Sequence, residues 1–318
     1  MLLKRPQGPP PPIPPAWLPP GHAMLLEGVG ETFYRDSGPE TAQQGTLLLL
    51  HGWTVTADLN WIFAYRRFVE AGYRVIAPDH RGHGRGLRPQ VKFRLEDCAA
   101  DAAQLVRQLG AGPVTVVGYS MGGAIAQLAA RDHRDVVDSL VLGATALHWS
   151  GPRDRVAWIG MRAFQWILRM ASHRFWRELL RRAGRPNPSR DAWMLSEFSR
   201  GSADDIAEAG RELGRFDSRP WVASLDVPVA VVITTEDQLV HPSRQHEIAA
   251  TIPDAARYTV AGDHDGTILE DGPIFDGILR AVADVRARRG ERRLSASAPA
   301  RLMQALRGGR SPRQPEIA

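Results

Sequence analysis

Six short apolar runs recur along the chain, and helical patterns separate several of them. They lie at 46–50 (TLLLL), 73–79 (YRVIAPD), 114–118 (VTVVG), 139–145 (SLVLGAT), 228–234 (PVAVVIT) and 257–261 (RYTVA). Most are continuous rather than alternating, the pattern of strands buried on both faces. Between them, stretches such as LNWIFAYRRFVEAG, LEDCAADAAQLVRQLG, GAIAQLAARDH, SRQHEIAAT and PIFDGILRAVADVRAR carry helical spacing. Strand–helix alternation predicts a doubly wound, mostly parallel α/β sheet. Upstream, AMLLEGVGETFYRDSG reads as a hairpin around a glycine turn.

One segment breaks the rhythm. Residues 147–221 are too long for a simple crossover. They contain their own helical pattern, RVAWIGMRAFQWILRMASHRFWRELLRRA, and six of the nine tryptophans. A helical cap inserted into the sheet domain is expected here, dividing the core into 22–146 and 222–290. The cap's tryptophans are expected mainly to pack its helices onto the core. A bulky apolar pocket, or a basic aromatic surface resting on anionic lipid, is the alternative use. Residues 1–21 are proline-rich and read as an extended arm on the protein's own surface or as simple disorder, with a ligand for a proline-binding module as the alternative. Residues 291–318 read as a flexible basic tail in which RLMQAL has the pattern of one turn of amphipathic helix.

The charge adds little to this picture. From Ala281 onward there are nine arginines against three acids, a net +6, while the whole chain carries +5. The excess therefore belongs to the tail, not to a folded basic face, and no nucleic-acid partner is expected. The single cysteine, Cys98, excludes an intrachain disulfide and reads as a small buried residue. No apolar stretch is long enough to span a bilayer, and proline stands where a signal peptide needs an apolar helix. A cytoplasmic location is the default expectation, with peripheral membrane contact as an addition that nothing in the pattern requires.

The chemistry concentrates in Gly118-Tyr119-Ser120-Met121-Gly122, a G-x-S-x-G motif between a predicted strand and a predicted helix. Such a turn lifts a serine hydroxyl clear of the sheet, and glycines on either side relieve the crowding. Ser120 as a plain helix cap is the alternative. A serine nucleophile needs a base. His264 follows the last predicted strand, at the sheet edge where parallel α/β folds gather their chemistry. The base needs an orienting acid. Asp237 follows the preceding strand at the same edge, and Glu236 and Asp154 are alternatives. The backbone N–H groups of Met121 and Trp53 are candidate oxyanion donors. His51 reads as a brace for the Trp53 loop. Asp79, His80 and His83 in DHRGHGRG read as a structural loop rather than a metal site.

These motifs together, LLLLHGW, VIAPDHRGHGRG, VVGYSMGG, VVITTEDQLVHP and VAGDH in that order, resemble the α/β-hydrolase family over roughly 25–285. The resemblance implies an eight-stranded sheet with an antiparallel second strand, a helical cap, a Ser120–His264–Asp237 triad and an acyl-enzyme intermediate. One departure is His241, which stands between Val240 and Pro242 where many relatives pass directly from valine to proline.

The leading expectation is a serine hydrolase, carboxylesterase- or lipase-like, that needs no cofactor or metal and acts on an apolar ester or related acyl substrate. Trp53, Tyr119, Leu147 and Trp149 are expected to line its pocket. A cofactor-free perhydrolase of the haloperoxidase kind, or a C–C bond hydrolase, would use the same residues, since fold and triad do not separate them. Serine at the elbow argues against epoxide hydrolases and haloalkane dehalogenases, which use aspartate. A non-catalytic receptor or scaffold of the same fold is the remaining alternative. The oligomeric state is open.

Overall fold

A computed structural model describes residues 12–151, 158–182, 187–268 and 272–308. Its centre is one eight-stranded sheet in the order β1-β2-β4-β3-β5-β6-β7-β8. The strands are β1 (Gly21–Leu26), β2 (Gly30–Asp36), β3 (Gly45–Leu50), β4 (Tyr73–Pro78), β5 (Val114–Tyr119), β6 (Val137–Gly143), β7 (Val229–Thr234) and β8 (Ala256–Val260). β2 runs antiparallel to both β1 and β4, and the remaining pairs are parallel. The six apolar runs are thus β3 to β8. β4 to β7 are buried at every position, which explains why their sequences do not alternate.

Helices cover both faces. α1 (Ala57–Trp61) and α2 (Tyr65–Glu70) replace the single helix expected over 59–72. Trp61, Ile62, Phe63 and Ala64 are four consecutive apolar residues, and all are buried. The chain passes between the two helices as a turn over residues 62–64. α3 (Leu95–Gln108) and α4 (Met121–Asp132) pack together. α8 (Pro242–Thr251) lies against β7.

α9 runs from Ile274 to Gly308 as one helix. Residues 291–308, expected as flexible tail, are therefore helical. Arginine, alanine and leucine dominate that stretch, and their high propensity carries the helix past the end of its apolar pattern. Residues 309–318 lie outside the described residues.

Between β6 and β7 the chain builds α5 (Met161–Arg182, kinked at Ala171), α6 (Pro188–Phe198) and α7 (Ala203–Leu213). An isolated bridge between His148 and Asp217 pins the two ends of this excursion together. Leu147 and Trp149, expected to line the pocket, flank that bridge. Leu147 is 1% exposed, and its carbonyl accepts from Ser218 N–H at 2.8 Å. Trp149 is 5% exposed, packs on Phe216, and accepts through its carbonyl from the Trp158 indole N–H. Both residues pack at the root of the excursion. Asp154 lies outside the described residues.

Upstream of β1 the described arm bends at Pro15 and Ala16. Ala16 and Leu18 pack on the core, and the Pro19 carbonyl accepts from Arg35 at 3.1 Å. Residues 1–11 lie outside the described residues.

Candidate active site

The site begins where β5 meets α4. Ser120 has φ 54° and ψ −118°, a conformation that non-glycine residues rarely adopt. Both of its backbone groups are tied: its N–H donates to Gly143 O at 3.0 Å, and its carbonyl accepts from Thr145 Oγ1 at 2.7 Å. The flanking glycines answer to close approach. A Cβ on Gly118 would stand 2.7 Å from the Gly122 carbonyl carbon, and one on Gly122 2.7 Å from His51 O. The Ser120 side chain makes no capping bond to α4. Its hydroxyl instead meets His264.

His264 follows β8 and bridges two partners. Nδ1 is 2.7 Å from Asp237 Oδ2, and Nε2 is 3.0 Å from Ser120 Oγ. An ionised carboxylate only accepts, so Nδ1 carries the proton and Nε2 presents its lone pair to the serine hydroxyl. The arrangement can take a proton from Ser120.

Asp237 is fully buried, yet its oxygens are well supplied. Oδ1 accepts from the N–H groups of Leu239 at 2.9 Å and Val240 at 2.8 Å. Oδ2 accepts from Thr234 Oγ1 at 3.0 Å and Gln245 Nε2 at 3.3 Å. Glu236 is exposed at the surface. His241, the extra residue in this loop, caps α8: its ring accepts from Ser243 N–H, and Pro242 occupies the first turn. The helix start absorbs the insertion, so the Asp237 loop keeps its grip on His264.

The loop after β3 passes directly beside the serine. A Cβ on Gly52 would lie 3.4 Å from Ser120 Cβ, and Gly52 N–H donates to Asn60 Oδ1 at 2.8 Å. This places the Trp53 backbone next to Ser120, across from the first turn of α4, whose N–H groups lack helical acceptors. Thr54 has φ 68°, a second strained residue in the same turn. The Trp53 indole is half-buried and packs on Trp158 and Phe164.

Beneath that loop lie three buried histidines. His51 Nε2 accepts from His80 N–H at 2.9 Å, so its Nδ1 is the protonated nitrogen and donates to Gly52 O at 2.8 Å. Burial holds the His51 pKa down at about 4 and that of His83 at about 3, so both are neutral braces. Asp79 accepts from Ala57 N–H and Arg85. Asp58 pairs with Arg35 and Arg85 at 2.7 and 2.8 Å. Burial alone would raise the Asp58 pKa, but the hydrogen bonds and charges of those two arginines pull it below its usual value.

Two supporting contacts come from the fold. Tyr119, a pocket candidate, is 3% exposed, and its hydroxyl donates to His264 O at 2.8 Å. Burial pushes its pKa well up, so the hydroxyl stays protonated and holds the histidine loop. Gln245 supports Asp237 from a different helix. Only the fold brings either side chain to its partner, and neither carries a spacing signal.

The sequence profile of the alpha/beta hydrolase fold matches residues 45–271. A non-heme haloperoxidase of Rhodococcus erythropolis is 29% identical over 251 residues, covering 72% of this chain and 87% of that protein. A bifunctional esterase/perhydrolase of Acinetobacter calcoaceticus is 35% identical over 123 residues, 38% of this chain and 43% of the relative. Among solved structures, a bromoperoxidase from Bacillus anthracis superposes with TM-score 0.71 at 20% identity, over 83% of this chain and all of that one. An esterase from Exiguobacterium antarcticum gives 0.71 at 18%, over 82% and 98%. At these identities the superpositions speak for the fold, and the profile speaks for descent: this chain belongs to the alpha/beta hydrolase fold family.

Proposed function

We propose that the protein is a serine hydrolase that cleaves carboxylic esters or related acyl bonds. The observation that carries this reading is the continuous relay from Ser120 Oγ through His264 to Asp237, with Ser120 held in a strained turn. Ser120 Oγ attacks the acyl carbon while His264 Nε2 takes its proton. The N–H groups of Met121 and Trp53 receive the developing oxyanion, and Asp237 steadies the imidazolium. His264 then protonates the leaving alkoxide, and water attacks the acyl-enzyme by the same path in reverse. No metal or cofactor has a part in these steps.

A second reading keeps the acyl-enzyme and changes the acceptor. The haloperoxidase and perhydrolase names of relatives favour hydrogen peroxide as an alternative to water in the second step, yielding a peracid.

A fluorophosphonate probe tests the shared core of both readings. Wild type is expected to label and Ser120→Ala to remain unlabelled; equal labelling removes Ser120 as nucleophile. Turnover of p-nitrophenyl esters of increasing chain length, with and without peroxide, then separates the two acceptors by whether peracid accumulates.

A further inference from the structure

The cap's six tryptophans divide unequally. Trp149, Trp176 and Trp193 are buried. Trp158 and Trp221 are half-buried and packed against the core. Trp166 is 64% exposed. It belongs to an apolar stripe on the outer face of α5, before the kink. Ala163, Trp166, Ile167 and Met170 follow helical spacing, and Met170 is 68% exposed. Ile159, just upstream, is 81% exposed. The opposite face of α5 packs on α7 and α6, so this stripe is the side turned away from the protein.

Its charge is one-sided. From Trp158 to Arg177 there is no acidic residue, while Arg162, Arg169, Arg174 and Arg177 all fall within that span. Asp204 answers Arg169, and Glu178 is held by Arg181 and Arg182. Arg162, Arg174 and Arg177 are left facing solvent. Beyond the kink, a groove of about 650 Å³ opens between α5 and α6, lined by Arg174, Arg177 and Arg181 against two acids, Glu178 and Asp191, with Leu180 and Leu195 at its apolar side.

A helix that presents tryptophan, isoleucine and methionine to water, with arginines outnumbering acids around them, matches the interface of a membrane bearing anionic lipids. Apolar side chains enter the acyl boundary, the indole rests at headgroup depth, and guanidinium groups meet phosphates. An acidic soluble partner would satisfy the arginines but leave the stripe in water. A second copy would bring cation against cation.

We propose that the outer face of α5 is a peripheral docking surface for anionic lipid bilayers, with Trp166 and Met170 as insertion points and Arg162, Arg174 and Arg177 as headgroup contacts. This surface does not depend on the hydrolytic reading, because none of its residues belongs to the Ser120 site.

Full-length protein is sedimented with phosphatidylcholine vesicles and with vesicles in which phosphatidylglycerol replaces part of the phosphatidylcholine. Binding is expected only to the anionic vesicles, weakening as salt rises. Arg174→Glu/Arg177→Glu and Trp166→Glu/Met170→Glu are each expected to weaken it about tenfold or more. Arg162→Glu, a single exposed change, serves if either pair lowers the thermal midpoint. Ser120→Ala is expected to bind like wild type, which keeps this test separate from the catalytic one. No preference for anionic vesicles overturns the proposal. So does binding that survives all three α5 variants but is lost when Arg301, Arg307, Arg310 and Arg313 become glutamate, since the C-terminal basic segment then carries it. A concentration-dependent dimer in light scattering that Trp166→Glu dissociates, without vesicle binding, would assign the face to a second copy and overturn it as well.

Discussion

The indole N–H of Trp53 donates to the main-chain carbonyl of Ile206 at 2.7 Å. The bond joins the loop beside Ser120 to α7 of the cap, and the ring packs closely enough on α7 that a Cβ on Gly210 would lie 2.7 Å from it. Any movement of the cap is thereby felt at the residue proposed to hold the oxyanion through its backbone.

Trp53→Phe keeps most of the ring and removes the donor. A neutral hydrogen bond contributes about 1 kcal/mol, so kcat/KM for a p-nitrophenyl ester is expected to fall several-fold, with a small drop in thermal midpoint. Unchanged kinetics with a lowered midpoint would show that the bond holds the cap without serving the site.

Asp237 and Glu236 are neighbours with opposite environments. Asp237→Asn preserves volume but disfavours the tautomer with Nδ1–H facing residue 237, and kcat is expected to drop on the order of 10⁴-fold. Glu236→Gln changes an exposed carboxylate and is expected to leave kcat within about twofold, as surface changes usually do. Similar losses in both would move the orienting role away from Asp237.

Tyr119 reaches His264 only through the backbone. Tyr119→Phe is expected to lower kcat several-fold, on the scale of one lost hydrogen bond at about 1 kcal/mol, while KM stays near wild type. A change confined to KM would instead return Tyr119 to the substrate pocket.

The buried histidines give stability a pH dependence with a definite sign. His51 and His83 titrate at 6.5 when unfolded and at about 4 and about 3 in the fold. Between those values the unfolded chain binds more protons, so stability is intact above pH 6.5 and falls as pH drops toward 4. For His51 alone the loss is on the order of 3 kcal/mol. Urea unfolding between pH 7 and 4.5 is expected to show this decline, and His83→Gln to flatten it; an identical slope in the variant would assign the decline to other groups.

Asp58 holds two arginines while almost completely buried. Asp58→Asn leaves Arg35 without its carboxylate and Arg85 with only Asp79 and Glu197, and is expected to destabilise the fold by about 3–5 kcal/mol in urea unfolding. A loss below about 1 kcal/mol would mean that Asp79 and Glu197 suffice for Arg85.

Much of this was legible in the chain. Leu47 to Leu50 and Val229 to Ile233 announce buried parallel strands because burial on both faces leaves no polar position. The G-x-S-x-G turn announces its serine because the packing against Leu50, His51 and Gly122 admits only glycine at 118 and 122. The surroundings of the pocket residues are not legible in the same way. Tyr119, Leu147 and Trp149 are apolar or aromatic near the site in sequence, and sequence proximity does not say which way a side chain points. Two of them pack at the root of the cap, and one braces a backbone carbonyl.

The sequence by itself determined the strand succession, the strained serine and the order of Ser120, Asp237 and His264, because local sterics and hydrophobic periodicity are written in neighbouring residues. Only the tertiary structure decided that Asp237 rather than Glu236 faces His264, that Trp53 answers to Ile206, and that Trp166 alone among the cap tryptophans stands in solvent. These depend on contacts between residues far apart in the chain, where packing geometry and desolvation choose among chemically equivalent neighbours.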